Sequence, residues 1–367
     1  MAYTTIDDPS EYFQTQLYTG TGSNGHAITN GGNSDLQPDM VWVKSRNDAN
    51  HDHHLWDSNR GVGGKDLYPN ETLGEGSDAD RFTAFNTDGF SIGGAGHINT
   101  EDDTYVAWQW KANGGTTSSL SGGDITTTVQ ASTKAGFSII TYSGASNAAD
   151  DNSNNSGAFW RLEHGLGAVP HWIWSKKRAT GGWYMWHHGF TGASSTDGDH
   201  VNSNEASGQA SEGGNRLWGN TAFSSTEYEI GGWDVINRNG ATYVAYCFTE
   251  IQGYSKFGKY RGNGNVDGTF VYTGFKPAWV MQKQVNADGE YWMIKDNKRE
   301  PFNQADANIY LNVSNAEVDT NGIDLLSNGF KCRTAGEGSN NTGNTYIYMA
   351  FAESPFVSSE GVPTTAR

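Results

Sequence analysis

The segment Thr104-Tyr-Val-Ala-Trp-Gln-Trp110 returns as Thr242-Tyr-Val-Ala-Tyr-Cys-Phe248 and again as Thr345-Tyr-Ile-Tyr-Met-Ala-Phe351. In all three copies the alternate positions that begin at the Thr carry bulky apolar side chains, which is typical of a strand with one face in a core. A segment that recurs at long spacing indicates a chain built from repeats. This segment closes each repeat.

A second recurring segment opens each repeat with a proline. Its copies are Pro38-Asp-Met-Val-Trp-Val-Lys44, Pro170-His-Trp-Ile-Trp-Ser-Lys176 and Pro277-Ala-Trp-Val-Met-Gln-Lys283. The centre of this segment is apolar on both faces, so we expect a strand in the middle of a packed domain. In the first and third copies an Asp and an Arg follow the Pro at matching distances, as Asp57 with Arg60 and Asp296 with Arg299.

These patterns predict an all-β protein of three tandem β-sandwich-like repeats with little helix. The predicted repeats cover residues 12–111, 136–250 and 254–353. The predicted flanking segments are an N-terminal attachment segment at 1–11, a Gly/Ser/Thr-rich linker at 112–135, a long exposed loop at 193–215 inside the second repeat, and a C-terminal tail at 354–367. The polar turns at Gly89 and Gly329 are expected to need a positive φ.

The composition excludes several classes of protein. With 24 basic and 41 acidic side chains the formal net charge is −17, so binding to nucleic acid or to anionic membranes is not expected. The opening MAYTTIDDPS lacks the basic and apolar regions of a signal peptide, and the run from Tyr346 to Ala352 is too short to cross a bilayer. Cys247 and Cys332 are predicted to be small buried hydrophobic residues rather than a disulfide scaffold.

Several long motifs point to one family. They are Asp7-Asp-Pro-Ser-Glu-Tyr-Phe-Gln14, the third-repeat segments Gly253-Tyr-Ser-Lys-Phe-Gly-Lys-Tyr-Arg-Gly-Asn-Gly264 and Gly274-Phe-Lys-Pro-Ala-Trp-Val-Met281, and Tyr348-Met-Ala-Phe-Ala-Glu-Ser-Pro-Phe356. They resemble a repeated module in structural proteins of marine tailed bacteriophages. The resemblance implies a non-enzymatic virion protein of the tail fibre, tail tip or head decoration, made in the host cytoplasm. It also implies other virion proteins as partners and a homo-oligomer, which would be a trimer in a fibre. It supplies no catalytic, cofactor or metal residues.

The alternative function is carbohydrate binding. Trp183, Trp186, His187 and His188 lie close together in the second repeat, and an aromatic platform with polar edges is typical of a surface that stacks a host glycan. The equivalent strand in the other repeats is predicted to pack its aromatic residues in the core, so packing is the competing interpretation. No cofactor is expected.

The remaining candidate sites are weaker. In a strand, His51 and His53 of His51-Asp-His-His54 would share a face and could ligate Zn²⁺ or Ni²⁺, but we expect a polar surface loop. The acidic turns Asp78-Ala-Asp80, Glu101-Asp-Asp103 and Asp197-Gly-Asp199 lack the spacing of a calcium loop. Glu227 and Glu229 alternate on one strand face, the minimum for a third hypothesis, a polysaccharide hydrolase. The recurring Lys44, Lys176 and Lys283 are interpreted as solvated strand ends.

Overall fold

A computed structural model describes residues 2–94, 96–145, 158–190, 199–211, 217–219 and 223–364. Within these ranges the chain forms strands, turns and loops, with one short 3-10 helix, η1 (Pro9–Glu11), and no α-helix. The all-β prediction is confirmed. Nor do these residues include any helix with the length and apolar character needed to cross a membrane.

The strands fall into three groups along the chain, which we call units 1, 2 and 3. Unit 1 contains β1 (Phe13–Thr19), β2 (His26–Ile28), β3 (Met40–Ser45), β4 (His54–Asp57), β5 (Phe82–Phe85), β6 (Phe90–Ile92) and β7 (Thr104–Trp110). Unit 2 contains β8 (Ser118–Leu120), β9 (Thr127–Ser132), β10 (Phe137–Ser143), β11 (Trp160–Glu163), β12 (Trp172–Lys177), β13 (Trp183–His187), β14 (Asp199–Asn202), β15 (Ala210–Ser211), β16 (Glu227–Ile230) and β17 (Thr242–Phe248). Unit 3 contains β18 (Ser255–Arg261), β19 (Phe270–Tyr272), β20 (Phe275–Gln284), β21 (Met293–Asp296), β22 (Ala305–Tyr310), β23 (Val318–Leu326), β24 (Gly329–Cys332) and β25 (Thr345–Pro355).

One strand order occurs in all three units. It runs β1-β7-β3-β4 in unit 1, β10-β17-β12-β13 in unit 2 and β18-β25-β20-β21 in unit 3, and all of these neighbours are antiparallel. The register is also shared, because Met40 pairs with Trp110, Trp172 with Phe248 and Trp279 with Phe351. We call these three four-stranded arrangements the inner sheets.

The bulky faces of the inner sheets meet in one central core. Buried side chains from all three units form a single hydrophobic cluster there. The indole ring of Trp279 in unit 3 lies 5.7 Å from that of Trp110 in unit 1, and Trp42 of unit 1 lies 5.5 Å from Trp174 of unit 2, measured between ring centroids. The expectation that the bulky face of each repeat fills its own sandwich is therefore corrected, because that face is shared with the other two units.

The opposite face of each inner sheet is covered by an outer layer from the same unit. In unit 1 the three-stranded sheet β2-β6-β5 supplies Phe82 and Phe90, which pack against Val41 and Tyr105. The β11-β16 pair covers unit 2, and β23 and β24 cover unit 3. Each inner sheet is thus buried on both faces, as the apolar Pro-led strands predicted.

The predicted linker at 112–135 belongs to unit 2. Strand β9 pairs with β10 and β8 pairs with β9, so both strands extend the inner sheet of unit 2. Thr127 and Val129 are buried on one face of β9, and the exposed Thr128 lies between them, which suits a strand. The start of this segment is also fixed. The buried Asp39 carboxylate accepts hydrogen bonds from the backbone N–H groups of Ala112, Gly114 and Gly115 at 2.7–2.8 Å.

Two other segments differ from expectation. The exposed loop predicted at 193–215 contains the fully buried strand β14, since Val201 packs in the central core; residues 193–198 and 212–215 lie outside the described residues. The predicted attachment segment packs on unit 3, where Tyr3 Oη donates to the Gly274 carbonyl and Thr4 Oγ1 to the Gln252 carbonyl. In the tail, the backbone N–H of Ser359 donates to Asp7. The attachment role of residues 1–11 stays a prediction.

Gly89 tests the turn chemistry of unit 1. Its φ is +89°, as predicted, and an added Cβ would collide with the Ile28 carbonyl oxygen. At Gly329 the backbone is not left-handed, and close approach of the Val271 carbonyl excludes a side chain instead.

We expect Gly89→Ala to lower the free energy of unfolding by about 2 kcal/mol in urea titrations. Gly240→Ala is the control, because Gly240 has φ +71° but open space around it, and a smaller loss is expected.

Candidate functional site

The predicted aromatic platform of unit 2 is buried. Trp183 and His187 have no exposed surface, and Trp186 is 6% exposed. Trp183 lies in the central core and donates from Nε1 to the Tyr68 carbonyl of unit 1, while Trp186 packs against Phe223 in the outer layer. Only His188 reaches the surface, so these four residues do not present a ring face to a sugar. Packing, the competing interpretation, is confirmed for the two Trp side chains.

The His51–His54 cluster is a surface loop only in its first half, because His51 and Asp52 are partly exposed in the loop before β4 while His53 and His54 are buried. His53 is fully buried, its Nδ1 accepts a hydrogen bond from Trp42 Nε1, and its Nε2 donates to the Tyr310 carbonyl of unit 3. His54 is also buried and lies 3.1 Å from the Asp66 carboxylate. Burial lowers the pKa of His53 well below its usual value, so the imidazole is neutral. His53 therefore bridges two units and does not share a metal with His51.

The three recurring lysines are buried rather than solvated. Lys44 Nζ donates to the Ser45 and Asp48 carbonyls, Lys176 Nζ to those of Lys177 and Ala179, and Lys283 Nζ to those of Ala206 and Glu290. Each lysine follows Trp42, Trp174 or Met281 by two positions, so all three sit on the strand face that forms the central core. Burial lowers the pKa of Lys176 to about 7 and that of Lys283 to about 8.

Arginine side chains lie beside two of the remaining predicted acidic candidates. Glu227 and Glu229 share the polar face of β16, as expected, but Arg161 lies 3.5 Å from the Glu227 carboxylate. In the acidic turns, Asp78 pairs with Arg81, and Asp197 lies outside the described residues.

Cys247 and Cys332 are free and buried, as predicted. Burial raises the pKa of the Cys332 thiol to about 11 and shifts that of Cys247 in the same direction.

The repeated Asp and Arg form buried ion pairs that join units. Arg60 Nε lies 2.6 Å from Asp57 Oδ2, and both side chains are fully buried. The same carboxylate oxygen accepts a 2.7 Å hydrogen bond from Tyr246 of unit 2. In unit 3, Asp296 pairs with Arg299 at 2.6 Å and accepts from Trp108 Nε1 of unit 1. Each Asp–Arg pair therefore binds an aromatic side chain of a neighbouring unit.

A second set of contacts extends these pairs across two of the three interfaces. Glu75 of unit 1 lies between its own Arg60 and Arg178 of unit 2, at 2.9 and 2.7 Å. Glu317 of unit 3 lies between its own Arg299 and Arg46 of unit 1, at 3.0 and 2.8 Å. Neither glutamate was predicted from the sequence, because neither repeats at a fixed distance from the Pro-led segment.

A backbone hydrogen bond occurs at the same place in all three interfaces, but at the interface between units 2 and 3 its two residues, Gln209 and Val285, are uncharged. Glu75 N–H donates to the Arg178 carbonyl and Glu317 N–H to the Arg46 carbonyl; at the third interface Gln209 N–H donates to the Val285 carbonyl. Val285 stands eight residues after Pro277, as the two arginines stand after Pro38 and Pro170. The three contacts close the units into a ring.

A surface cleft lies where units 2 and 3 meet the N-terminal segment. It has a volume of about 400 Å³, and its lining residues include Tyr3, Glu250, Lys256 and Tyr272. Tyr272 is 53% exposed, and its hydroxyl lies 3.3 Å from that of Tyr3. Glu250 and Lys256 pair at 2.7 Å beside these rings. The cleft thus combines an exposed ring with charged hydrogen-bonding groups.

The fold and these contacts define an all-β protein in which three like sheets enclose one aromatic core. The chain belongs to the family described as "Domain of unknown function (DUF7483)", whose model matches residues 8–355. This match spans all three inner sheets, so the domain of the family is the complete ring rather than one unit. No curated protein and no solved structure matches the chain.

Proposed function

We propose that this protein is a non-enzymatic structural component of a tailed-phage virion, in the tail fibre, tail tip or head decoration. The observation that best supports this proposal is that the shared spacing of Asp and Arg in two units forms buried ion pairs at the interfaces between units. The repeated Asp57–Arg60 and Asp296–Arg299 pairs are buried between units and hold aromatic partners, an arrangement that fixes geometry. A rigid ring with a net charge of −17 suits a component present in many copies, because like charge opposes clumping.

The proposal is tested on particles. Quantitative mass spectrometry of gradient-purified virions, with immunogold labelling of intact particles, is expected to find the protein at stoichiometric abundance and at one location. An enzyme made only for intracellular use would stay in the soluble lysate fraction. Absence of this protein from purified particles would refute the proposal. Light scattering after size-exclusion chromatography tests the homo-oligomer, with a trimer expected for a fibre.

Carbohydrate binding remains a second candidate, and the cleft beside Tyr272 favours it. An exposed aromatic face flanked by charged hydrogen-bonding groups is the arrangement that stacks a pyranose ring. The candidate contact therefore moves from the buried Trp186 to Tyr272. Host attachment would then be the task of this cleft within the virion.

Glycan-array binding tests this second candidate. We expect Tyr272→Ala to abolish binding with little change in stability, because the ring is exposed. Tyr291→Ala is the matched control, since Tyr291 is 39% exposed but lies outside the cleft lining. If the wild type binds no glycan, or if Tyr272→Ala and Tyr291→Ala bind equally well, carbohydrate binding at this cleft is refuted and only the architectural role remains.

A further inference from the structure

Two loops at one end of unit 1 bring together an imidazole and two carboxylates. Asp48 and His51 lie between β3 and β4, and Asp103 directly precedes β7. His51 Nε2 lies 3.6 Å from Asp48 Oδ2, and His51 Nδ1 lies 3.8 Å from Asp103 Oδ2. One donor atom from each of the three residues lies within 4.8 Å of the other two. The antiparallel pairing of Ser45 with Tyr105 places these loops side by side.

The carboxylates are oriented by their other oxygens. Asp48 Oδ1 accepts hydrogen bonds from the backbone and side-chain N–H groups of Asn50, at 2.7 and 2.9 Å. Asp103 Oδ1 accepts one from Asn47 Nδ2 at 3.0 Å. Asp48 Oδ2 faces His51 Nε2, and Asp103 Oδ2 faces His51 Nδ1 while it also accepts a 3.5 Å hydrogen bond from Tyr105 Oη. Lys44 donates to the backbone oxygen of Asp48 rather than to its carboxylate.

The two His51 distances are measured from opposite ring nitrogens, and one ion binds only one of those nitrogens, so the case for a shared ion rests on the three donor atoms that lie within 4.8 Å of one another. Separations of 3.6 and 3.8 Å are too long for a hydrogen bond. Zinc binds nitrogen and oxygen at about 2 Å, so two of its ligands stand roughly 3 to 4 Å apart. His51 Nδ1 is buried, and it has no hydrogen-bond partner among the described residues. The ring of His97 lies 4.9 Å from that of His51, measured between centroids, and places a second imidazole beside the group.

Unit 3 shows that the fold does not need a carboxylate at the position of Asp103. There Asn286 and Asn344 replace Asn47 and Asp103, and Asn286 Nδ2 still donates to Asn344 Oδ1, at 3.3 Å. Asn286 Oδ1 likewise accepts from the Thr345 N–H, as Asn47 Oδ1 does from the Thr104 N–H. The loop framework is therefore kept with a neutral amide at the position of Asp103. The carboxylate at this position is an addition specific to unit 1.

We propose that Asp48, His51 and Asp103 form a binding site for one divalent transition-metal ion, with Zn²⁺ as the representative. One imidazole and two carboxylates make a borderline donor set that suits Zn²⁺, whereas Ca²⁺ prefers oxygen ligands alone. The ion ties the β3–β4 loop to the loop before β7. This site is independent of the virion role.

Calorimetric titration of untagged, EDTA-treated protein with ZnCl₂ tests the site. We expect one saturable site in the wild type and at least about a tenfold loss of affinity in His51→Gln and in Asp103→Asn. Asp103→Asn should leave the fold intact, because Asn344 serves the same framework in unit 3. Glu101→Gln is the matched control, since it removes an exposed charge two residues away and should leave affinity unchanged.

Three results would overturn the proposal. They are the absence of saturable Zn²⁺ binding, equal affinity in wild type and Asp103→Asn, and binding of Ca²⁺ as tight as that of Zn²⁺. The last would mean that His51 takes no part. Circular dichroism and melting temperatures of each variant separate loss of the site from loss of the fold.

Discussion

Replacing Arg60 with Ala is expected to lower the free energy of unfolding by about 3 to 5 kcal/mol. The substitution leaves the Asp57 carboxylate buried without its cation, and desolvation of an unpaired charge is costly. It also removes one of the two cations that hold Glu75 at the interface between units 1 and 2. Urea titration followed by Trp fluorescence measures the loss.

Arg161→Ala is the matched control for Arg60→Ala. Arg161 also pairs with an aspartate, Asp124 at 3.0 Å, but the two side chains are 46% and 41% exposed. Exposed pairs of this kind contribute about 0 to 1 kcal/mol, so this variant should stay close to the wild type. Arg299→Ala should match Arg60→Ala, because it removes the equivalent cation of unit 3. Equal stabilities of Arg60→Ala and Arg161→Ala would contradict the structural role of the buried pair.

Stability is expected to rise between about pH 7 and pH 10. Burial lowers the pKa of Lys176 and of Lys295 to about 7, and that of Lys283 to about 8, from the usual 10.5. The unfolded chain therefore binds more protons than the folded chain across this range. This extra protonation stabilises the unfolded state, and the stabilisation is lost as the pH approaches 10.5. Each lysine should add roughly 3 kcal/mol to the free energy of unfolding over the range.

The opposite slope is expected at higher pH. Burial raises the pKa of Tyr228 and Tyr246 well above the usual 10, so the folded chain then binds more protons and stability falls. Urea titrations at closely spaced pH values should therefore show a maximum near pH 10. Lys176→Met should flatten the rise, whereas the exposed Lys298→Met should not. A flat or falling profile between pH 7 and pH 10 would contradict the burial of the lysines.

The strands could be predicted from sequence because their patterns are local. The closing segment that ends at Trp110 alternates between bulky and smaller residues, and its three copies fix both the strand and its inward face. The pattern cannot say what that face packs against. Contact between Trp42 and Trp174 depends on how whole sheets meet, so the sequence pattern predicted separate sandwich cores where the structure has one.

The charged residues show the same limit. Lys176 ends a strand and precedes Lys177 and Arg178, a pattern that indicates a solvated boundary. Its burial depends on carbonyls of the following turn and on the interface formed by Arg178 with a distant glutamate. His51 stood out as metal-like, but its predicted co-ligand His53 is in the core. Asp103 reaches it only through the pairing of β3 with β7.

Differential scanning calorimetry tests the ring most directly. If the three units share one core, the full chain should melt in a single transition whose calorimetric and van't Hoff enthalpies agree. Arg60→Ala should then move that whole transition to lower temperature. Two or three separable transitions, with only one displaced by Arg60→Ala, would show independent units and contradict the shared core.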